Sequence, residues 1–324
     1  PPDGGERFDA VATGITADVH VPFRVISGNH DSPARLSFAS RLLAPQGLYM
    51  AGELERLTGP VVLEDDAGPV AFLTVPYAEP AVVRQCLGQD KVRSRQQSRE
   101  ALLGWQGSQV PDGVRTVCVA HAFVAGGVAG DSERPLSIGG TDQVTSGLFA
   151  PFSYTALGHL HAQQRLSDRA FYCGSLMKYS FSEVSQKKGV IIVDMDAAGN
   201  VTTTPLVLTP PHELSVLKGR FEDLLTHPRL EERENYLKIV LTDSTPVLDP
   251  KSRLEAVYPH ILQLGYEGLS KEKKEDPARQ RKNLTEVELF EHFFETIQKR
   301  SMDDREQSLL AAVLDETRRE GRNA

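Results

Sequence analysis

The chain has 324 residues, of which 40% are hydrophobic and 25% are charged, and this composition excludes a fibrous or wholly disordered protein. The net charge of −8 excludes a generally basic nucleic-acid-binding protein, but it permits a locally basic or metal-bearing site. No apolar run reaches the roughly 18–20 residues of a membrane span. Three widely separated cysteines argue against a disulfide framework and favour a reducing cytoplasm.

Predicted strands and helices alternate over much of the chain. Short apolar runs predict strands at 25–27, 61–63, 71–75, 117–120, 154–157, 171–173, 190–193 and 201–208. Residues 36–43 and 81–110 have the pattern of helices, and 126–140 is rich in Gly, Ser and Asp, which predicts a mobile loop. This order indicates an α/β domain over residues 1–208.

A smaller pattern follows the Pro-rich turn at 209–211. It predicts a strand at 213–219, a helix at 221–226, a strand at 236–241, a helix at 250–259 and a strand at 261–266. We interpret residues 209–268 as a small α+β module.

Residues 269–324 are unusually rich in charge and predict a linker followed by helices. Thr285 and Glu288 have the spacing of a capping box, and the helix that they begin has a broad apolar face. That face consists of Val287, Phe290, Phe294 and Ile297. Such a face either packs on its own domain or binds a partner.

Three polar segments directly follow predicted strands: Gly28-Asn29-His30-Asp31, His121, and Gly158-His159-Leu160-His161. Ligands of open α/β sheets bind at the carboxyl ends of strands, so we expect these segments to converge. Imidazole nitrogens and an amide oxygen suit Mn, Fe and Zn. His159 and His161 lie two residues apart and, on an extended segment, point to the same side, where they can serve two metals ~3.5–4 Å apart.

His30 directly follows the candidate ligand Asn29, and adjacent side chains diverge. We therefore expect His30 to stabilise a phosphoryl oxygen or protonate a leaving group. Asp31 is expected to orient the His30 imidazole or raise its pKa. A single histidine such as His121 is more often structural than a ligand, but the three segments in this order predict a two-metal phosphoesterase site.

Four stretches carry a resemblance to a known family: VISGNHDS at 25–32, AHAFVAGG at 120–127, YTALGHLH at 154–161 and YCGSLMKYSFSE at 172–183. They resemble the calcineurin-like metallophosphoesterase superfamily and, within it, the SbcD family of bacterial nuclease subunits. The last stretch is the most distinctive. The resemblance covers nearly the whole chain, is weakest beyond residue 209, and implies a four-layer metallophosphoesterase β-sandwich flanked by helices, followed by a small capping domain.

The resemblance implies metal ligands at Asn29, His121, His159 and His161, and catalytic roles for His30 and Asp31. Asn29, His121 and His159 would share one ion, and His161 would bind the other. The implied cofactors are two divalent ions, expected to be Mn²⁺. The implied reaction is phosphodiester hydrolysis at double-strand DNA ends and hairpins.

The resemblance also implies partners. The 209–268 module would help to contact DNA, and the helical face of Val287, Phe290, Phe294 and Ile297 would bind an SbcC-like ATPase. The expected assembly is a homodimer within a heterotetramer that serves cytoplasmic DNA repair and recombination. Candidate positive contacts to DNA are Arg35, Arg134, Lys178, Lys187 and Lys188.

The sequence departs from the superfamily at its N-terminus. Two expected motifs, Asp-x-His and Gly-Asp-x-x-Asp, precede the Gly-Asn-His-Asp segment in the superfamily, and the second does not occur here. Asp18-Val19-His20 has the residue types of the first motif but does not follow a predicted strand. It lies in a helix-to-strand loop close to Asn29. Pro1-Pro2 resembles a start just downstream of the second motif. We therefore expect this chain to keep most of one metal shell and a single ligand of the other. We also expect little activity from this chain alone, and poor solubility from an exposed sheet edge.

Two other functions fit parts of the pattern. The first is a phosphoesterase that acts on small phosphate esters or cyclic nucleotides. The second is a non-catalytic scaffold that keeps the partner-binding helices. The helical tail and residues 174–183 favour the nuclease subunit, because a stand-alone phosphatase needs neither.

Overall fold

The computed structural model describes residues 2–57, 59–133 and 143–267 and, in the C-terminal segment, residues 290, 291, 294, 295, 300–303, 305–307, 309, 310 and 313. The strands are β1 Phe23–Ile26, β2 Leu48–Ala51, β3 Val61–Asp65, β4 Gly68–Val75, β5 Arg115–His121, β6 Phe123–Val124, β7 Gln143–Val144, β8 Tyr154–Gly158, β9 Gln164–Arg165, β10 Ala170–Tyr172, β11 Gly189–Met195, β12 Val201–Val207, β13 Leu214–Gly219, β14 Tyr236–Leu241 and β15 Ile261–Tyr266. The α-helices are α1 Pro2–Thr13, α2 Pro33–Leu36, α3 Ser40–Leu43, α4 Pro80–Leu87, α5 Arg95–Gly107, α6 Phe221–Thr226 and α7 Pro250–Glu255. The fold is therefore mixed α/β, as predicted.

A six-stranded sheet in the order β3-β4-β5-β8-β10-β9 forms the centre of the larger unit. The four inner strands β4, β5, β8 and β10 are parallel, and β3 and β9 add antiparallel edges. The inner strands are short and apolar because both of their faces are covered. Leu73, Cys118, Leu157 and Tyr172 are buried there, in a core that also receives Leu102 from α5.

The predicted strand positions are confirmed across this unit, and the helices need more correction. The predicted 61–75 hairpin is the antiparallel pair β3 and β4. The 81–110 region forms two helices, and Ser94 and Gln97 make a capping box at the start of α5. The single helix expected at 36–43 is wrong, because Ala39 has a positive φ of 56° and separates α2 from α3.

Residues 214–266 form a second sheet with its own core. The strands β13, β14 and β15 pair in parallel and in sequence order, and α6 and α7 connect them. Leu217, Ile239, Leu254 and Tyr258 are completely buried in this second cluster. The predicted strand–helix–strand–helix–strand order is confirmed element by element.

The predicted apolar helix in the C-terminal segment is described only in part. Phe290 is exposed, and Phe294 lies under the guanidinium of Arg300 at 5.0 Å from the ring centroid. Val287 and Ile297 lie outside the described residues, as do much of the predicted 126–140 loop and Arg134. Among the described residues, no helix has the length and apolarity needed to cross a membrane.

Candidate metal centre

The carboxyl ends of three strands bring the predicted segments together. The loop after β1 carries Asn29, β5 ends at His121, and His159 directly follows β8. The parallel pairing of β5 with β8 sets His121 opposite Gly158, and the amide of Tyr77 ties the end of β1 to β4 through a 2.9 Å hydrogen bond to Ser27. The convergence expected from strand-end chemistry is therefore present.

Asn29 and His121 make the shortest contact of this group. The Oδ1 atom of Asn29 lies 2.9 Å from Nε2 of His121, and the backbone amide of Asn29 donates to the same nitrogen at 3.4 Å. The first contact requires a proton on Nε2 and the second requires a lone pair there. With the lone pair on Nε2, this nitrogen and Oδ1 would both present electron pairs to a cation placed between them.

Two glycines make room for the His121 ring. A Cβ atom on Gly28 would lie 2.6 Å from Cε1 of His121, and one on Gly158 would lie 3.2 Å from Nδ1. Distances below 3.0 Å do not occur in real packing, so a side chain at residue 28 would displace the ring. The Gly-Asn-His-Asp segment thus begins with glycine because an imidazole from β5 packs against it.

His121 is held in its neutral form. Burial lowers its pKa to about 3, and the neighbouring His159 and Arg99 act in the same direction. The buried Arg99 guanidinium donates to the His121 carbonyl at 3.2 Å and fixes the backbone at the end of β5. A neutral imidazole keeps a lone pair, which is the form that a metal ion requires.

His159 lies beside His121 on a strained backbone. The two rings meet edge to face with centroids 5.3 Å apart, and Phe123 contacts His159 at 5.8 Å. The φ of His159 is +117°, a conformation that side chains rarely adopt. Such strain of about 1–3 kcal/mol persists only where the surroundings fix it, and it is common at functional sites.

His30 and Asp31 occupy the exposed part of the same loop. His30 is close enough for its charge to act on His121. The carboxylate of Asp31 accepts a 2.6 Å hydrogen bond from the amide of Gly28 and closes the turn. Asp31 therefore shapes the loop that presents Asn29, and its expected contact with the His30 imidazole stays a prediction.

His161 belongs to a second group of polar side chains. Its Nδ1 lies 2.9 Å from Oε1 of Glu183 and 3.1 Å from the hydroxyl of Ser132, and its amide donates to Glu133 at 2.7 Å. Glu183 in turn pairs with Lys188 at 2.8 Å. The geometry thus places His161 among Glu183, Ser132 and Glu133.

Glu183 is ionised although it is buried. Burial by itself would raise the pKa of the carboxyl, but hydrogen bonds from Lys188, Ser132 and His161 outweigh burial and hold the pKa at about 2. Reasoning from the sequence placed Glu183 in the distinctive 172–183 stretch but gave it no role. Glu183 lies in a polar stretch of the kind that is usually exposed to solvent. Only the buried ion pair with Lys188 shows that its carboxylate faces the protein interior.

Two of the candidate DNA contacts are wrong in the roles predicted for them. Lys188 is buried and paired with Glu183, and Lys178 forms an ion pair with Glu213. Arg35 and Lys187 are exposed. A run of lysines does not show which side chain turns inward, so the sequence could not separate Lys187 from Lys188.

A cleft of about 260 Å³ opens beside Asn29 and Asp31, and Glu53, Glu55 and Tyr77 contribute to its walls. In the described part of the chain, no group of three or more His, Cys, Asp and Glu side chains is arranged to hold a metal ion. Asn29 belongs to none of those four types. The metal assignment therefore stays a prediction that rests on one amide and the histidines around it.

Comparisons with known proteins agree with the resemblance seen in the motifs. A family model described as "Type 5 capsule protein repressor C-terminal domain", SbcD_C, matches residues 210–298. The SbcD subunit of the nuclease SbcCD from Staphylococcus epidermidis is 32% identical over 252 residues, and that from Staphylococcus saprophyticus subsp. saprophyticus is 31% identical over 252 residues. Each alignment covers 77% of this chain, and the chain spans 66% of the length of each relative. The chain belongs to the SbcD family.

Proposed function

We propose that this chain is the metallophosphoesterase subunit of a DNA nuclease. The observation that carries the proposal is the convergence of Asn29, His121 and His159 at three strand ends in a chain of the SbcD family. The substrate proposed is DNA with double-strand ends or hairpins, and the reaction is phosphodiester hydrolysis. The six-stranded sheet would supply one layer of the four-layer metallophosphoesterase sandwich.

The residues present fit a divalent metal ion. An amide oxygen and an imidazole nitrogen 2.9 Å apart match the spacing of about 3 Å between neighbouring ligands of an octahedral ion with bonds near 2.1 Å. Asn29, His121 and His159 would hold one ion and His161 the other, and we expect Mn²⁺ at both positions. When bound, the ions would polarise the phosphoester and activate water.

The protein side chains have separate tasks in this proposal. The half-buried, neutral His121 supplies a lone pair, and Gly28 and Asp31 fix the turn that carries Asn29. His30 is exposed beside this turn, where its imidazole can bind a phosphoryl oxygen or donate a proton to the leaving oxygen. Preorganised donors of this kind stabilise charge that develops in the transition state.

We further propose an SbcC-like ATPase as the partner of this subunit, bound by the apolar face that includes Phe290 and Phe294. The assembly would be a heterotetramer with two copies of this chain, acting in DNA repair and recombination in the cytoplasm. The 209–268 module would contribute to DNA contact. The net charge of −8 means that this contact is local, aided by metal ions or shared with the partner.

We propose that the 324-residue chain by itself cleaves DNA weakly or not at all. Neither Asp-x-His in the expected strand context nor Gly-Asp-x-x-Asp occurs in it. Asp18 ends a π-helix at Gly14–Asp18 and His20 lies exposed in the segment before β1, so this pair does not follow a strand. A two-metal mechanism needs both ligand shells.

The test combines Mn²⁺ binding with DNA binding and cleavage. Mn²⁺ is titrated into the chain and its His121→Asn variant, followed by gel-shift and cleavage assays on an end-labelled hairpin duplex. We expect Mn²⁺-dependent DNA binding that His121→Asn abolishes, with cleavage near background. His227→Asn serves as the control, because His227 lies in the second unit and contacts Thr226.

DNA binding of equal affinity with and without Mn²⁺, and unchanged in His121→Asn, would overturn the nuclease assignment. Rapid hairpin cleavage by the chain alone would refute the proposed inactivity and support the assignment. Hydrolysis confined to small phosphate esters would favour the alternative phosphoesterase.

A further inference from the structure

A buried ion pair lies next to His161, and none of the roles proposed above uses it. The side chains of Glu183 and Lys188 are 1% and 4% exposed, and Oε2 lies 2.8 Å from Nζ. Burying two charges is costly, so such a pair persists only where the surrounding groups complete its hydrogen bonds. The residues around Glu183 and Lys188 show what the pair holds in place.

The Lys188 ammonium has no freedom to turn toward the His161 ring. Four acceptors surround its three N–H groups: the His161 carbonyl at 2.8 Å, the Ser175 hydroxyl at 2.8 Å, Gln186 Oε1 at 2.7 Å and the Glu183 carboxylate. These contacts fix one carboxylate oxygen of Glu183 against Lys188. The other oxygen, Oε1, is left facing Nδ1 of His161 at 2.9 Å.

A carboxylate in an ion pair accepts hydrogen bonds and donates none. The neutral His161 ring can meet Oε1 at this distance only by carrying its proton on Nδ1, which leaves a lone pair on Nε2. The ring is also confined by Ser132 on the Nδ1 side and by Tyr179, whose ring centroid lies 6.0 Å away. Glu183, Ser132 and Tyr179 therefore set both the tautomer and the orientation of the His161 ring.

We propose that Glu183, supported by Lys188, is a positioning residue that holds His161 in the Nδ1-protonated tautomer and so presents Nε2 to a divalent cation. The claim that Nε2 binds a cation rests on the proposed metal-dependent function. The claim that Glu183 fixes the tautomer of His161 does not depend on that function. Partners of this kind behind a ligating histidine typically change metal affinity by 10–100-fold when they are removed.

The test starts with Glu183→Gln in the 324-residue chain, labelled with ¹⁵N-histidine. The Lys188 ammonium should recruit the amide oxygen of the new side chain, so that its NH₂ group faces Nδ1 of His161. We expect the ¹⁵N shifts of His161, assigned through His161→Gln, to change from the Nδ1-protonated to the Nε2-protonated pattern. A role confined to folding would lower stability and leave the tautomer unchanged.

A second variant keeps the test valid if the single variant unfolds. Glu183→Gln with Lys188→Met removes both buried charges and frees the amide to turn its oxygen back toward Nδ1, so the Nδ1-protonated pattern should return. Glu213→Gln is the matched control, because it breaks the neighbouring ion pair with Lys178 and does not touch His161. It should leave the His161 spectrum unchanged.

Mn²⁺ alone is then titrated into each folded variant and followed by electron paramagnetic resonance. We expect Glu183→Gln to weaken binding by 10–100-fold and the double variant to recover part of this loss. An Nε2-protonated His161 in the parent chain, or an unchanged tautomer in Glu183→Gln, would overturn the proposal. Absence of Mn²⁺ binding in the parent, with the expected tautomers, would contradict the proposed metal function and leave the positioning role supported.

Discussion

Replacing Gly28 with alanine tests whether the His121 ring determines the conformation of the Asn29 loop. The added Cβ would lie 2.6 Å from Cε1 and 2.9 Å from Nδ1, so the ring must retreat by about 0.8 Å to reach an ordinary contact of 3.4 Å. Overpacking of this kind costs about 1–3 kcal/mol of unfolding free energy. The retreat would also lengthen the 2.9 Å contact between His121 Nε2 and Asn29 Oδ1.

Urea denaturation measures the cost. With a slope of about 3 kcal/mol/M, a loss of about 2 kcal/mol moves the midpoint down by about 0.7 M. Gly104→Ala is the matched control, because nothing lies within 4 Å of a Cβ at this exposed position in α5. Removal of glycine from a helix interior should stabilise the chain by about 0.5–1 kcal/mol.

A double-mutant cycle isolates the ring itself. In a His121→Ala background the obstacle is gone, so Gly28→Ala should cost close to nothing, and the coupling free energy should approach the full penalty. An equal cost of Gly28→Ala with and without the His121 ring would refute the steric explanation. The glycine would then be required by something other than the imidazole that packs on it.

Two further predictions concern the half-buried imidazole of His121 and the buried hydroxyl of Tyr172. Because the pKa of His121 is lowered to about 3, the unfolded chain takes up this proton first, and stability should fall by up to about 1.4 kcal/mol per pH unit as the pH drops from 6.5 toward 3. His121→Asn should remove this slope between pH 6.5 and 5 in urea titrations, and equal slopes would contradict the assignment. The buried Tyr172 hydroxyl accepts from the Val124 amide at 2.8 Å and donates to the Ala122 carbonyl at 2.7 Å, so Tyr172→Phe should cost about 1–3 kcal/mol. The same change at the exposed Tyr179 should stay within about 0.5 kcal/mol, and similar midpoint shifts for both tyrosines would argue against the hydrogen-bond explanation.

The sequence by itself determined most strand positions and the segments that carry chemistry. Apolar runs ended by Gly28, His121 and Gly158 located β1, β5 and β8, since a buried strand must end where its chain returns to polar surroundings. Residues such as Asn29 and His159 stood out because polar side chains directly after a buried strand are costly unless they have a use. Local pattern was sufficient for both inferences, because each depends on neighbours along the chain.

Only the tertiary structure decided which of these groups meet. The contact between Asn29 and His121 joins residues 92 positions apart, and it depends on the arrangement of β1 and β5 and on the absence of a side chain at Gly28. The inward turn of Lys188, beside an exposed Lys187, depends in the same way on a carboxylate from another segment. Long-range pairing and the burial of charge are set by the packing of whole elements, and local sequence pattern carries no record of them.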